Sequence, residues 1–89
     1  MIVVSAWIHP GETNSSWVMD GFLTFITSNT PAAIFLRDNV IFKIVPMLNP
    51  DGVVLGNFRS SFTGKDLNWV FKSIDSKLFP EVIALKNLI

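Results

Sequence analysis

The chain contains no cysteine, only one histidine and no surplus of either charge, with seven basic residues set against seven acidic ones. Without cysteine there is no disulfide framework, no thiolate metal site and no sign of an oxidising compartment, so any metal must be held by histidine and carboxylate ligands. The lysines and arginines form no cluster or stripe. That argues against a nucleic-acid partner, because phosphate backbones are gripped by concentrated positive charge. The apolar start, Met1 to Ile8, lacks a basic leader and a small-residue cleavage site and is too short to cross a bilayer. No membrane role is expected, and a cytoplasmic location is the simplest reading. Internal repeats and low-complexity tracts are missing too, which removes a solenoid or linker reading.

What remains is apolar for its size. Of 89 residues, 49% are hydrophobic, 12% aromatic and 16% charged. A chain this short is at most one small domain with a modest core, so it is either very compact or carries apolar faces that await partners.

Residues Ile2 to Ile8 are rich in β-branched side chains and end at His9-Pro10-Gly11, the pattern of a strand buried on both faces that delivers His9 to its C-terminal end. Capping residues occupy the positions from Glu12 to Ser16. Trp17, Val18, Phe22, Phe25 and Ile26 then recur at helical spacing, which predicts a helix ending near Ser28-Asn29-Thr30-Pro31 and a second helical turn from Pro31 through Arg37. A second strand is expected over residues 40–45. Strand, helix and strand with a crossover of this length imply a parallel βαβ unit, an α/β fold. From Met47 to Leu67 the turn signals at Asn49-Pro50-Asp51-Gly52, Gly56-Asn57 and Thr63-Gly64-Lys65-Asp66 predict a long irregular stretch, and such stretches in compact domains are usually functional. A last helix should start at Pro80 and run to the end of the chain. Trp17, Phe22, Phe25, Phe35 and Phe42 are core candidates. One end starts on a core strand and the other stops in an apolar helix, as expected of a segment from a larger α/β domain.

The His9-Pro10-Gly11-Glu12 group sets an imidazole and a carboxylate three residues apart on a tight turn, and both are ordinary zinc ligands. Spacing alone leaves a plainer alternative open, a strand-end histidine beside a helix-capping glutamate. His9 is the only histidine, so a third ligand is not a histidine of this chain.

Taken in order, residues 5–17, 42–53, 56–59 and 64–68 resemble the M14 zinc carboxypeptidases, and in particular their cytosolic carboxypeptidase branch. The blocks SAWIHPGETNSSW, FKIVPMLNPDGV, GNFR and GKDLN fall in the family's order and at similar separations. The resemblance implies a mixed sheet flanked by helices, of which residues 1–89 would be an N-terminal part. It implies zinc as cofactor with His9 and Glu12 as the first two ligands, and Arg59 as the residue that stabilises the oxyanion. Asn68 matches the asparagine that holds the substrate's terminal carboxylate. The partners implied are peptide or protein C-terminal tails, with acidic tubulin tails suggested by the cytosolic branch. The family's third ligand, a histidine, and its general-base glutamate come from later strands, and neither motif lies in these residues.

Two positions depart from the pattern. The family places arginine directly after the asparagine, where this chain has Trp69, and the close relatives usually place arginine at Trp7. A guanidinium grips a carboxylate with two charged N–H groups, whereas an indole offers one uncharged N–H. Asp66 is expected to accept hydrogen bonds from nearby backbone or arginine, and the Asn49-Pro50-Asp51-Gly52 turn to shape the site structurally. Two other readings remain open: a zinc deacylase resembling aspartoacylase, whose D-L-N-R-x-F string fits residues 66–71 except at Trp69, and a non-catalytic remnant or binding module stabilised by a partner.

Overall fold

The computed structural model describes residues 1–72, 75 and 77–89. Two short strands, β1 (Ile2–Ser5) and β2 (Phe42–Val45), run parallel in the register Ile2 to Phe42 through Ser5 to Val45. Parallel neighbours need a crossover, supplied here by helices α1 (Asn14–Ile26) and α2 (Pro31–Asn39). The expected βαβ unit is present, with two helices in its crossover.

Local chemistry explains the breaks. The Thr30 hydroxyl accepts from Ala33 N at 3.4 Å and Pro31 occupies the first helical turn, so α2 starts where the proline signal placed it. Arg37 Nη1 donates to Ile26 O at 2.5 Å and Ser28 O at 2.7 Å, covering the last carbonyl of α1 and one just beyond it and setting a positive charge at the helix's negative end.

The strands are shorter and less buried than the sequence suggests. Every residue of β2 is half-buried, and Ile2 and Ser5 of β1 are exposed. The cause is the two-stranded sheet, which leaves one edge of each strand unpaired among the described residues. The core candidates divide. Met19, Phe22, Leu23 and Ile26 make the inward stripe of α1 at helical spacing, and Phe22 meets the Phe42 ring edge-on at 6.0 Å. Trp17, Phe25 and Phe35 lie off the inward faces of their helices and are exposed, correcting their assignment to the core.

The stretch from Met47 to Leu67 is not wholly irregular. Asn49 caps a third helix, α3 (Pro50–Leu55), its side chain accepting from Gly52 N at 3.0 Å, and Gly56 ends it with a φ of +73°, in the left-handed conformation that glycine adopts freely. The supposed turn is therefore a helix start. A short 3-10 turn covers Leu67–Trp69, and α4 (Pro80–Leu88) closes the chain as expected. Leu67, Phe79 and Val82 form a small core cluster against which Ile8, Val70 and Phe71 pack. This cluster lies beneath the site: Leu67 is fully buried between Asp66 and Asn68, and Ile8 precedes His9.

Candidate metal centre

Beyond Ser5 the chain leaves β1 but stays bonded to the segment that continues from β2. Ala6 O accepts from Leu48 N at 2.9 Å, and Trp7 O accepts from Asn49 N at 3.2 Å. The fully buried Asn49 donates through Nδ2 to Ile8 O at 3.0 Å. One side chain thus caps α3 and fixes the backbone beside His9. The turn itself closes through Glu12 N to His9 O at 3.1 Å, and Ser15 continues into α1 by bonding to Glu12 O.

Two glycines allow the loops to converge. Gly11 N donates to Phe58 O at 2.7 Å, and a Cβ on Gly11 would run into the Phe58 ring and carbonyl. At Gly52 an added Cβ would lie 2.5 Å from Pro10 Cγ and 2.6 Å from Ser60 O. Close backbone approach is what glycine permits at both places. It brings the segment carrying Arg59 against the turn carrying His9 and Glu12.

All four residues expected at the site are gathered there. His9 is buried, and its Nδ1 lies 3.2 Å from Glu12 Oε1. On the opposite edge of the ring, Nε2 lies 3.2 Å from Asp66 Oδ1 and 3.2 Å from Asn68 Nδ2. Arg59 Nε donates to Asp66 Oδ2 at 2.6 Å, and Asn68 N donates to Asp66 Oδ1 at 2.9 Å. One nitrogen cannot donate to Asp66 and accept from the Asn68 amide together. A carboxylate flanks each ring nitrogen at 3.2 Å, so a proton on Nε2 faces Asp66 and one on Nδ1 faces Glu12; a metal ion at Nδ1 would take the lone pair there and leave the proton on Nε2 for Asp66.

Asp66 is the hub. Burial opposes its ionisation, but hydrogen bonds from the Asn68 backbone, Arg59 and His9, with the nearby guanidinium charge, outweigh that and hold its pKa below the ordinary carboxylate value. It accepts from backbone and arginine as the sequence reading expects. Its contact with His9, 57 residues away in the chain, had no signal in the sequence. Neither did the Asn49 clamp, although an asparagine before Pro50 is a recognisable helix start.

The donor set suits zinc as far as it goes. Imidazole nitrogen and carboxylate oxygen are its usual partners, and a carboxylate behind the other ring nitrogen is the arrangement that fixes the tautomer of a metal-binding histidine. Among the described residues no group of three His, Asp or Glu side chains could hold an ion. The reason is geometric: Glu12 and Asp66 flank opposite edges of the His9 ring, so only Glu12 can share an ion bound at Nδ1. Beside the pair opens a recess of about 490 Å³ whose lining includes Trp7, Ile8, Glu12, Val18, Asn68 and Phe71. Trp69, the departure from the family's arginine, is 82% exposed.

The structure thus brings a histidine beyond the end of β1, a glutamate just before α1 and an arginine loop held by a glycine contact together on a parallel βαβ frame. The chain belongs to the zinc carboxypeptidase family, peptidase family M14, whose sequence pattern matches residues 1–82. It is 54% identical over 88 residues to cytosolic carboxypeptidase 2 of Mus musculus, a match covering 99% of this chain and 10% of that protein. Cytosolic carboxypeptidase 3 of Bos taurus is 51% identical over 88 residues, with 99% and 9% covered. Among solved structures, a metallo-carboxypeptidase from Burkholderia cenocepacia superposes with a TM-score of 0.91 at 36% identity, over 98% of this chain and 24% of that one. The chain therefore has part of the metallo-carboxypeptidase fold and spans about a tenth of the length of the curated relatives it matches. These carboxypeptidase names favour the peptidase over the deacylase reading.

Proposed function

We propose that residues 1–89 form part of the catalytic domain of a zinc-dependent carboxypeptidase and supply two of its metal ligands, His9 through Nδ1 and Glu12 through its carboxylate. The observation that carries this is the 3.2 Å approach of these two atoms while Asp66 engages the other edge of the imidazole. When bound, zinc supplies a Lewis acid that polarises the scissile carbonyl and activates water for attack on it. Asp66 orients His9. Arg59, anchored to Asp66 through Nε, has its terminal amino groups left to face negative charge developing on the substrate carbonyl oxygen. Asn68, on the neighbouring turn, binds the substrate's terminal carboxylate.

The substrate class is C-terminal peptide bonds of peptide or protein tails, hydrolysed in the cytoplasm, with acidic tubulin-like tails as the branch-specific candidate. The relatives' names support the reaction and the compartment; the choice of tail rests on resemblance alone. Trp69 weakens the grip on a terminal carboxylate because it carries no charge. The third zinc ligand and the general-base glutamate are to be sought in other segments of the catalytic domain.

Zinc titration of the purified chain by calorimetry tests the ligand assignment. One-to-one binding that is lost in His9→Ala and in Glu12→Ala is expected; binding unaffected by either change would refute it. With two protein ligands the affinity should be weak beside a three-ligand site, and the zinc-loaded chain should release no C-terminal residues from a glutamate-tailed peptide. Steady release would show that these residues suffice, contrary to the proposal.

A further inference from the structure

Among the described residues other than glycine, only Trp7 has a positive φ, +57°. A bulky side chain seldom takes this left-handed conformation because Cβ crowds the adjoining carbonyl, and such outliers persist where surrounding contacts over-determine them. Here they do. Before the tryptophan, Ala6 is held on both sides, its N–H donating to Val45 O at 3.0 Å and its carbonyl accepting from Leu48 N. At the tryptophan itself, the carbonyl accepts from Asn49 N. Beyond it, the indole Nε1–H donates to Pro10 O at 2.8 Å.

That last bond reaches across Ile8 and His9. Pro10 has no backbone N–H, so its carbonyl is the one main-chain group through which the residue can be tied down by a hydrogen bond. Strand pairing ends at Ser5, two residues before the left-handed turn and four before His9. The left-handed residue stands immediately before the bend at Ile8 and His9, and the indole bond closes a loop over residues 7–10 with His9 inside it.

We propose that Trp7 is a positioning residue for the metal pair: its left-handed backbone turns His9 out of the strand direction, and its indole bond to the Pro10 carbonyl keeps the turn shut so that the imidazole and the Glu12 carboxylate stay together. The proposal rests on the metal reading above, but its effect exists in the metal-free chain and can be measured there. It gives the tryptophan a task that needs an N–H donor and a flat ring rather than a cation.

The test replaces Trp7 with 3-benzothienylalanine, which keeps the shape of the ring and puts sulfur in place of the N–H, and compares it with Trp7→Phe and Trp7→Gly. In the metal-free protein, nuclear Overhauser contacts between the His9 ring and the Glu12 side chain report the turn, and those between β1 and β2 report the fold. The sulfur analogue should keep the strand contacts and lose the His9–Glu12 contacts, and where zinc is bound its apparent affinity should fall about tenfold. Trp7→Phe, which also lacks the N–H, should behave like the sulfur analogue. Trp7→Gly relieves the backbone but removes the indole, and should lose the same contacts. Unchanged His9–Glu12 contacts in the sulfur analogue, or their survival in Trp7→Gly, would overturn the proposal. Absence of zinc binding by the unmodified chain would sink the metal reading separately, because the contacts of the metal-free chain still decide the role of Trp7.

Discussion

The fully buried residues near His9 lie in the segments around it and not in the strands. Asn49, Ser61 and Leu67 are at most 1% exposed and His9 is 9% exposed, whereas no residue of β1 or β2 is fully buried and Trp17 and Phe35 stand in solvent. In most small α/β units the sheet is the protected part. Here Asn49, Asp66 and close glycine contacts tie down the irregular backbone, while apolar side chains stay uncovered on the helices and at Phe58 and Phe62 alike. Polar satisfaction is local, and a handful of well-placed side chains achieves it; apolar burial needs area, and two strands offer little.

The largest effect should come from the core residue beneath the site. Leu67→Ala removes a fully buried side chain from beneath Asp66 and Asn68, and should destabilise the fold by about 2–5 kcal/mol in urea unfolding, loosening the site with it. A loss near zero would mean that the loop region stands without its core. Next is Gly52→Ala, whose methyl would press on Pro10 and the Ser60 carbonyl; a cost of about 1–3 kcal/mol is expected, with the His9 turn displaced in the NMR spectrum. Asn49→Ala should cost a similar ~1–3 kcal/mol, because it uncaps α3 and leaves the half-buried Ile8 carbonyl without its partner.

A smaller effect is set by pH. Asp66 has a folded pKa below its ordinary value of 3.8, so its contribution is fully present above that value and is lost as pH falls through the depressed one. Asp66→Asn should therefore be less stable than the unaltered chain by a constant amount above about pH 5, and the gap should close on further acidification. A gap that widened in acid would reverse the sign assigned here. The Arg59 side chain is 56% exposed, so Arg59→Ala should cost about 1 kcal/mol or less despite the short contact with Asp66. Smallest of all, Phe35→Ser on the outer face of α2 should change stability by less than about 0.5 kcal/mol, and a larger loss would show that the exposed apolar surface is covered in solution.

The order of elements was legible because its signals are local: β-branched runs at residues 2–5 and 42–45, Pro31 and Pro80 at helix starts, and helical spacing along α1. Which side of α1 faces inward was not, since Trp17 and Phe25 look as suited to a core as Met19 and Phe22 until the sheet they face is known. At the site, the sequence pointed to His9, Glu12, Arg59 and Asn68 through family resemblance, and the first two also through their spacing. It could not show that Asp66 meets the far edge of the His9 ring, a contact between segments 57 residues apart, nor that Asn49 braces the backbone beside it.

The bond from Gly11 to the Phe58 carbonyl also bears on protein engineering. It couples the ligand turn and the arginine loop mechanically, so a push on one is felt by the other. Anyone transplanting this half-site to a new scaffold would have to carry residues 9–12 and 57–60 together as a single rigid part, because either segment moved alone would arrive without the surface that shapes it.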